Sequence, residues 1–178
     1  SILIKADLIV VGTEGINELR ENIIGSRASR IVESAAMDVL VVPRRVFFKA
    51  TKKLVYASDY LEEDKLAIQK IVEIARFYDS EIDLVHVSSS QKAIDKSLHM
   101  TMVEEIEPFI SYDKVNFVLK SYRDDLALGL ENYLNVSKAD ILFTLSKKRS
   151  FFEQIFTNSL SKKMAYFINK PLWVIKTF

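Results

Sequence analysis

The strongest constraint on this chain is a repeat. "ADLIVVGTEGINELRENIIGSRASRIVESAAMDVLVVP", from Ala6, aligns without a gap on "ADILFTLSKKRSFFEQIFTNSLSKKMAYFINKPLWVIK", from Ala139, at a constant offset (139 − 6 = 133). Ala6, Asp7, Ser26 and Val41 match Ala139, Asp140, Ser159 and Val174, and Arg30 matches Lys163. Each copy starts and ends on a short apolar run with a helix-length stretch between. A strand–helix–strand unit is therefore present twice, at a domain-sized period rather than a solenoid period. A lone unit of that kind cannot bury both faces of its strands, so it must lean on a neighbour.

The remaining pattern supplies that neighbour. Short apolar runs predict strands at 7–11, 38–42, 53–57, 82–87, 115–120, 140–145 and 172–176. Several are apolar almost throughout ("LIVV", "VLVV", "LWVI"), as in strands covered on both faces. Between them lie helical patterns. "EEDKLAIQKIVEIARFY", after Asp59, puts Ile68, Ile71, Val72 and Ala75 on one face, with an acidic start that suits the helix dipole. Further helices are predicted over 91–109, after "RDD" (inner face Ala127, Leu130, Leu134), and over 151–168. Alternating strands and helices predict a doubly wound, mostly parallel five-stranded α/β sheet with right-handed crossovers, plus a partial strand–helix–strand copy at the start. Residues 53–138 read as the front of the second copy's domain, whereas only residues 1–5 precede the first copy. The expectation is a first-domain remnant over 1–45, a connection over 46–52, and a complete second domain over 53–178, as in a piece of a tandem protein.

Composition narrows the function. At 178 residues, 49% hydrophobic and 28% charged, the chain is in the globular range. The net charge of +1 gives no field that would draw it to nucleic acid or an anionic membrane. It has no cysteine, which removes thiolate zinc sites and suits a reducing, cytoplasmic setting. "SILIKADLIVV" carries Lys5 and Asp7 in its apolar stretch and does not read as a signal peptide, and no run reaches membrane-spanning length.

Three of the four glycines fall in "VVGTEGINELRENIIGSRAS", at Gly12, Gly15 and Gly25. The spacing is G-x2-G-x9-G-S, between a strand and the helical pattern "RASRIVESA". Glycine lets backbone approach a ligand, and free N–H groups at a helix start favour anions. Ser26 suits an N-cap or a hydroxyl donor to phosphate. The pattern is neither a Walker loop nor G-x-G-x-x-G. At about 7% glycine usage, three fixed glycines recur by chance in roughly one of 3,000 start positions.

On these residues the chain resembles the universal stress protein family, whose ATP-binding members carry G-x2-G-x9-G-[ST] between the fourth strand and the last helix. The resemblance implies an adenine nucleotide alpha hydrolase-like, Rossmann-like fold. It implies ATP as ligand, with Mg only alongside it, held by Gly12, Thr13, Gly15, Gly25, Ser26 and Arg27. The adenine-side positions of the first copy fall outside this sequence, so the stretch alone is expected to hold no ligand. In the second copy those positions fall on Asp59 and near Val87, with Ser159 at the phosphate end. There the glycines are replaced: Leu145 stands for Gly12, Lys148 for Gly15 and Asn158 for Gly25. The resemblance also implies pairing of domains through their last strands, "DVLVV" and "PLWVI", within one chain or in a homodimer.

Other candidates read as structure. Asp59 reads first as a cap for the helix that follows it and second as a ligand contact. His86 sits in an apolar strand and His99 on a surface helix, with no third metal ligand in view. The aromatics of "LENYLNV" and "SFFEQIF" read as core. No base, nucleophile or metal cluster is placed for phosphoryl transfer, so ATPase activity is expected to be weak at most. The expected role is regulation through nucleotide binding and domain pairing, with a non-binding interaction module as the alternative and no nucleic-acid or membrane partner.

Overall fold

The structure, a computed structural model, describes residues 6–13, 26–44, 46–47, 49–88, 93–122, 126–146 and 169–177. In chain order its elements are β1 (Leu8–Gly12), α1 (Ser26–Ser34), β2 (Asp38–Val42), β3 (Lys53–Ala57), α2 (Asp64–Tyr78), β4 (Glu81–Ser88), α3 (Ala93–Ile106), a 3-10 turn (Glu107–Phe109), β5 (Val115–Ser121), α4 (Leu126–Val136), β6 (Ile141–Ser146) and β7 (Leu172–Lys176). Every predicted strand is present, within a residue at each end. The predicted helix over 91–109 is shorter than its pattern and gives way to the 3-10 turn at Pro108, whose ring cannot continue the hydrogen-bond ladder. The helix predicted over 151–168 lies outside the described residues.

The strands form one sheet in the order β1-β2-β7-β6-β3-β4-β5. Its β7-β6-β3-β4-β5 part is the predicted five-stranded parallel sheet, and β1 and β2 extend it. Central strands are buried as their apolar runs require: Leu54, Val55 and Tyr56 of β3 have no exposed surface. One face carries α1 and α4, whose Ala28, Val32, Ala127, Leu130 and Leu134 pack on Val55, Val85, Leu142 and Val174. The other carries α2 and α3, whose Ile68, Ile71, Ala75 and Ile106 pack on Leu54, Tyr56, Phe143 and Ile175. The predicted inner stripe of α2 is therefore its buried face. α2 ends where Asp79 turns left-handed (φ 56°) and its N–H reaches the Ala75 carbonyl.

The two copies meet through their last strands, as expected, and within one chain. β2 and β7 pair antiparallel, with Val39 opposite Val174, Leu40 opposite Trp173 and Val41 opposite Leu172. At the repeat offset, Leu40 and Trp173 are each other's counterparts (173 − 40 = 133), and the flanking pairs exchange places. A local pseudo-two-fold axis thus passes between Leu40 and Trp173. Asp38 staples this seam. Its Oδ1 accepts from Lys70 Nζ (3.1 Å) and the Lys176 N–H (2.9 Å), and its Oδ2 accepts from Trp173 Nε1 (3.3 Å).

Candidate functional site at the carboxyl ends of β3 and β6

The chain runs from β3 outward to β4 and β5, then returns to β6 on the other side of β3. The carboxyl ends of β3 and β6 are therefore the point where strand order reverses, and doubly wound sheets open a ligand crevice there. The expected Asp59 lies at this point, two residues beyond Ala57.

Ser58 extends β3, its N–H donating to the Val85 carbonyl (2.9 Å). Its hydroxyl turns to α2 and donates to Asp64 Oδ2 (2.5 Å), while the buried Tyr56 hydroxyl donates to Asp64 Oδ1 (2.7 Å). Burial raises the Asp64 pKa against those hydrogen bonds. Asp59 follows, beyond the end of β3. Asp59 Oδ2 is buried and has no hydrogen-bond partner. Burial first, and the Asp64 charge second, push its pKa up to about 8. The expected capping role is therefore corrected: Glu63 stands at the α2 cap position without a side-chain cap bond, and Asp64 Oδ2 accepts the Leu61 N–H (3.3 Å).

A second orphan lies on the neighbouring strand. Thr144 of β6, paired with Ala57, is 1% exposed, and its Oγ1 has no partner. These are the two buried side-chain atoms left unpartnered among the described residues. Both belong to the carboxyl ends of adjacent strands. Buried polar atoms without partners are uncommon and costly, and a bound ligand is one of the things that satisfies them.

Tyr60 follows with φ 61°, a left-handed backbone that costs a bulky residue about 1–2 kcal/mol. Among the described residues the two other non-glycine positions at positive φ, Asp79 and Lys138, lie within two residues after a helix end, whereas Tyr60 precedes a helix. Its ring stacks on His86 (centroids 4.1 Å apart, 22° between planes). Its hydroxyl meets His99 Nδ1 (2.5 Å). His86 Nδ1 donates to the Ser58 carbonyl (2.8 Å). Burial, then the neighbouring His86, lower the His99 pKa, which favours a neutral ring accepting the tyrosine proton. Sequence reading treated the two histidines as unrelated; Tyr60 joins them. The dense polar run "SDY" after an apolar strand was the available signal.

The other expected residues are distributed as follows. Gly12 ends β1, and a Cβ built there meets nothing within 4 Å. Thr13 is mostly buried, its N–H donating to the Val42 carbonyl (3.1 Å) and its Oγ1 accepting from the Arg44 N–H (3.3 Å). Ser26 opens α1. The Arg27 side chain, Gly15, Gly25 and Ser159 lie outside the described residues. Val87 is 3% exposed and packed in the core beside Ala127 and Leu130. Among the described residues no three metal-ligating side chains converge, and no helix is long and apolar enough to cross a membrane.

The fold defines a doubly wound α/β protein whose strand order reverses between β3 and β6. The universal stress protein family profile matches residues 3–43 and 50–176. The chain belongs to the universal stress protein family. None of the curated proteins compared with the chain matches it. Among solved structures, a universal stress protein from Archaeoglobus fulgidus DSM 4304 superposes at TM-score 0.69 with 16% identity, covering 96% of this chain and 60% of that one. A putative universal stress protein from Pseudomonas aeruginosa UCBPP-PA14 superposes at 0.63 with 13% identity, covering 96% and 63%. This chain thus spans about three fifths of the length of both. A universal stress protein solved in complex with cAMP superposes at 0.54 with 12% identity, covering 73% of this chain and all of that one. These likenesses are of fold.

Proposed function

We propose that this chain is part of a nucleotide-responsive regulatory protein that binds ATP through G-x2-G-x9-G-S and acts by domain pairing rather than turnover. The observation that carries the reading is the frame of that motif. β1 ends on Gly12, whose Cβ position is open, and α1 begins on Ser26, so the glycine pattern spans a strand end and a helix start. That is the arrangement in which backbone N–H groups receive phosphate. The cAMP complex of a structural neighbour supports a nucleotide as the ligand class. The two stretches matched to the family, and the pseudo-two-fold seam between them, support reading residues 1–45 as the rear of one domain and 53–178 as a second.

A second reading rests on the β2–β7 seam itself. An interaction module needs the strand pairing and no ligand, and the second copy has already lost its glycines at Leu145, Lys148 and Asn158. Calorimetric titration of ATP separates the two. The titrated protein is a chimaera in which residues 53–138 precede residue 6, which supplies the first copy with front strands and Asp59. Stoichiometric binding that Gly25→Val abolishes supports nucleotide sensing. A folded chimaera that gives no heat leaves the interaction module.

A further inference from the structure

We propose that the first half of α3 is a pH-gated flap: the Tyr60–His99 hydrogen bond clasps it to the segment that follows β3, and protonation of His99 releases it and uncovers the Tyr60–His86 ring stack.

That half of the helix is lightly held. Among its described side chains, Lys96 to Thr101, His99 is the one that is not exposed, and Leu98 and Met100 are 54% and 56% exposed. The anchors lie in the second half, where Ile106 is buried in the cluster built on Ile68 and Ile71 and Met102 packs against it. Segments with few buried apolar contacts open locally, without unfolding the rest of the molecule. The first half of α3 is such a segment, and His99 ties it to the body through Tyr60.

The clasp is built from three rings. His86 of β4 is fixed from the strand side, its Nδ1 donating to the Ser58 carbonyl (2.8 Å). Tyr60 lies nearly flat on His86, with centroids 4.1 Å apart. The Tyr60 hydroxyl then reaches His99 Nδ1 (2.5 Å), the two rings being 5.9 Å apart. The left-handed backbone of Tyr60 (φ 61°) is the local strain that accompanies this placement.

The clasp requires a neutral imidazole. With its hydrogen on Nε2, His99 accepts the phenol proton at Nδ1. Protonation puts a hydrogen on Nδ1 itself, so the hydroxyl must turn round to accept. That leaves an imidazolium half-buried beside His86. Burial first, and His86 second, hold the His99 pKa below its ordinary 6.5 while the helix is docked. Released into water, the ring regains the ordinary value. The released form therefore binds more protons, and the clasp, intact above about pH 6.5, weakens as the pH falls below it. The titratable groups set against His99 are Tyr60 and, behind it, His86; Lys96, one turn earlier on α3, is exposed. Asp59, next to Tyr60, acts with the opposite sign, because its raised pKa favours the folded form on acidification.

Hydrogen exchange of the full chain, read by mass spectrometry at pH 7.5 and pH 5.5, tests the flap. α2 is the internal reference, so that the pH dependence of the exchange chemistry cancels. Protection of residues 96–101 relative to α2 is expected to fall at least about twofold on acidification. Tyr60→Phe keeps the ring and removes the hydroxyl, and is expected to bring α3 at pH 7.5 to the parent's pH 5.5 value or below. His99→Asn sets an acceptor oxygen near the place of Nδ1 and does not titrate, so it is expected to remove the pH dependence. Equal α3 protection at the two pH values in the parent overturns the proposal. So does parental α3 protection at pH 7.5 in Tyr60→Phe, or a loss on acidification that survives in His99→Asn. None of these readings involves a nucleotide, so the flap can fail separately from the proposed function.

Discussion

Leu40 lies directly across the β2–β7 seam from Trp173, and the two are the same position in the two copies. Self-opposition of a single position is the mark of an isologous contact, here made inside one chain. The sizes differ. Trp173 stacks on Phe143 (5.4 Å, 24°), beneath the α2 cluster, and their counterparts Leu40 and Val10 are aliphatic. The large rings stand on the side that α2 covers.

Trp173→Ala is therefore expected to cost more than Leu40→Ala. Trp173 loses the Phe143 stack and the hydrogen bond to Asp38, together about 3 kcal/mol, while Leu40→Ala, at a half-buried site, costs about 1–2 kcal/mol. Urea unfolding followed by circular dichroism measures both. Equal losses would mean that the seam gains nothing from the aromatic pair.

Asp38→Ala orphans the Lys176 N–H and Trp173 Nε1 together, and is expected to destabilise by about 2–3 kcal/mol. Lys70→Met removes only a half-exposed partner of the same carboxylate and should cost less than about 1 kcal/mol. Reversal of that order in urea titrations would assign the seam's strength to the ion pair rather than to the carboxylate's neutral donors.

The strands and the α2 stripe were legible because each is a local pattern: an apolar run of strand length, or apolar residues at helical spacing. The seam was legible only through the family resemblance, which implies pairing by the last strands; the repeat said which strands those are. The site was less so. Tyr60 reaches His86 and His99 only because its backbone turns left-handed, a choice that no side-chain pattern announces. Asp83 is a harder case still. Its carboxylate is 2% exposed and gathers Lys53 of β3 (2.8 Å), Asn116 of β5 (2.8 Å) and Tyr133 of α4 (2.6 Å). In sequence, "EIDLVHV" shows only a polar interruption of an apolar run.

That network makes its own prediction. Asp83→Ala leaves Lys53 with Glu81 alone (3.0 Å) and strands an amide and a phenol, and should cost about 2–3 kcal/mol. Tyr133→Phe removes one hydrogen bond and should cost about 1 kcal/mol. It should also abolish the tyrosine whose titration burial, and then the bond to Asp83, push to unusually high pH. Ultraviolet titration of the two variants reads the second effect, and thermal unfolding the first.

Asp59 sets a pH dependence of uncommon sign for a carboxylate. Its folded pKa, near 8, lies above its ordinary value of 3.8, so the folded state keeps a proton that the unfolded chain has released. The unfolded chain then binds fewer protons between about pH 4 and 8, and stability falls with rising pH across that window before levelling above it. Asp59→Asn keeps the neutral shape and should flatten the curve, its gain over the parent growing from pH 5 to pH 8. Stability curves for parent and variant that run parallel over that range would show Asp59 to be ionised in the folded protein.

Thr144→Val tests the candidate site from the other strand. Valine has nearly the same shape, and the threonine hydroxyl has no partner at a position 1% exposed. Replacing an orphaned buried hydroxyl by a methyl group should stabilise the ligand-free protein by about 1 kcal/mol. At an ordinary core position the same exchange removes a made hydrogen bond and destabilises. A stabilised Thr144→Val thus marks a polar group maintained at a cost, as expected at a binding site. If thermal unfolding instead shows Thr144→Val to be the weaker protein, the hydroxyl is satisfied in solution, and the ligand argument rests on Asp59 alone.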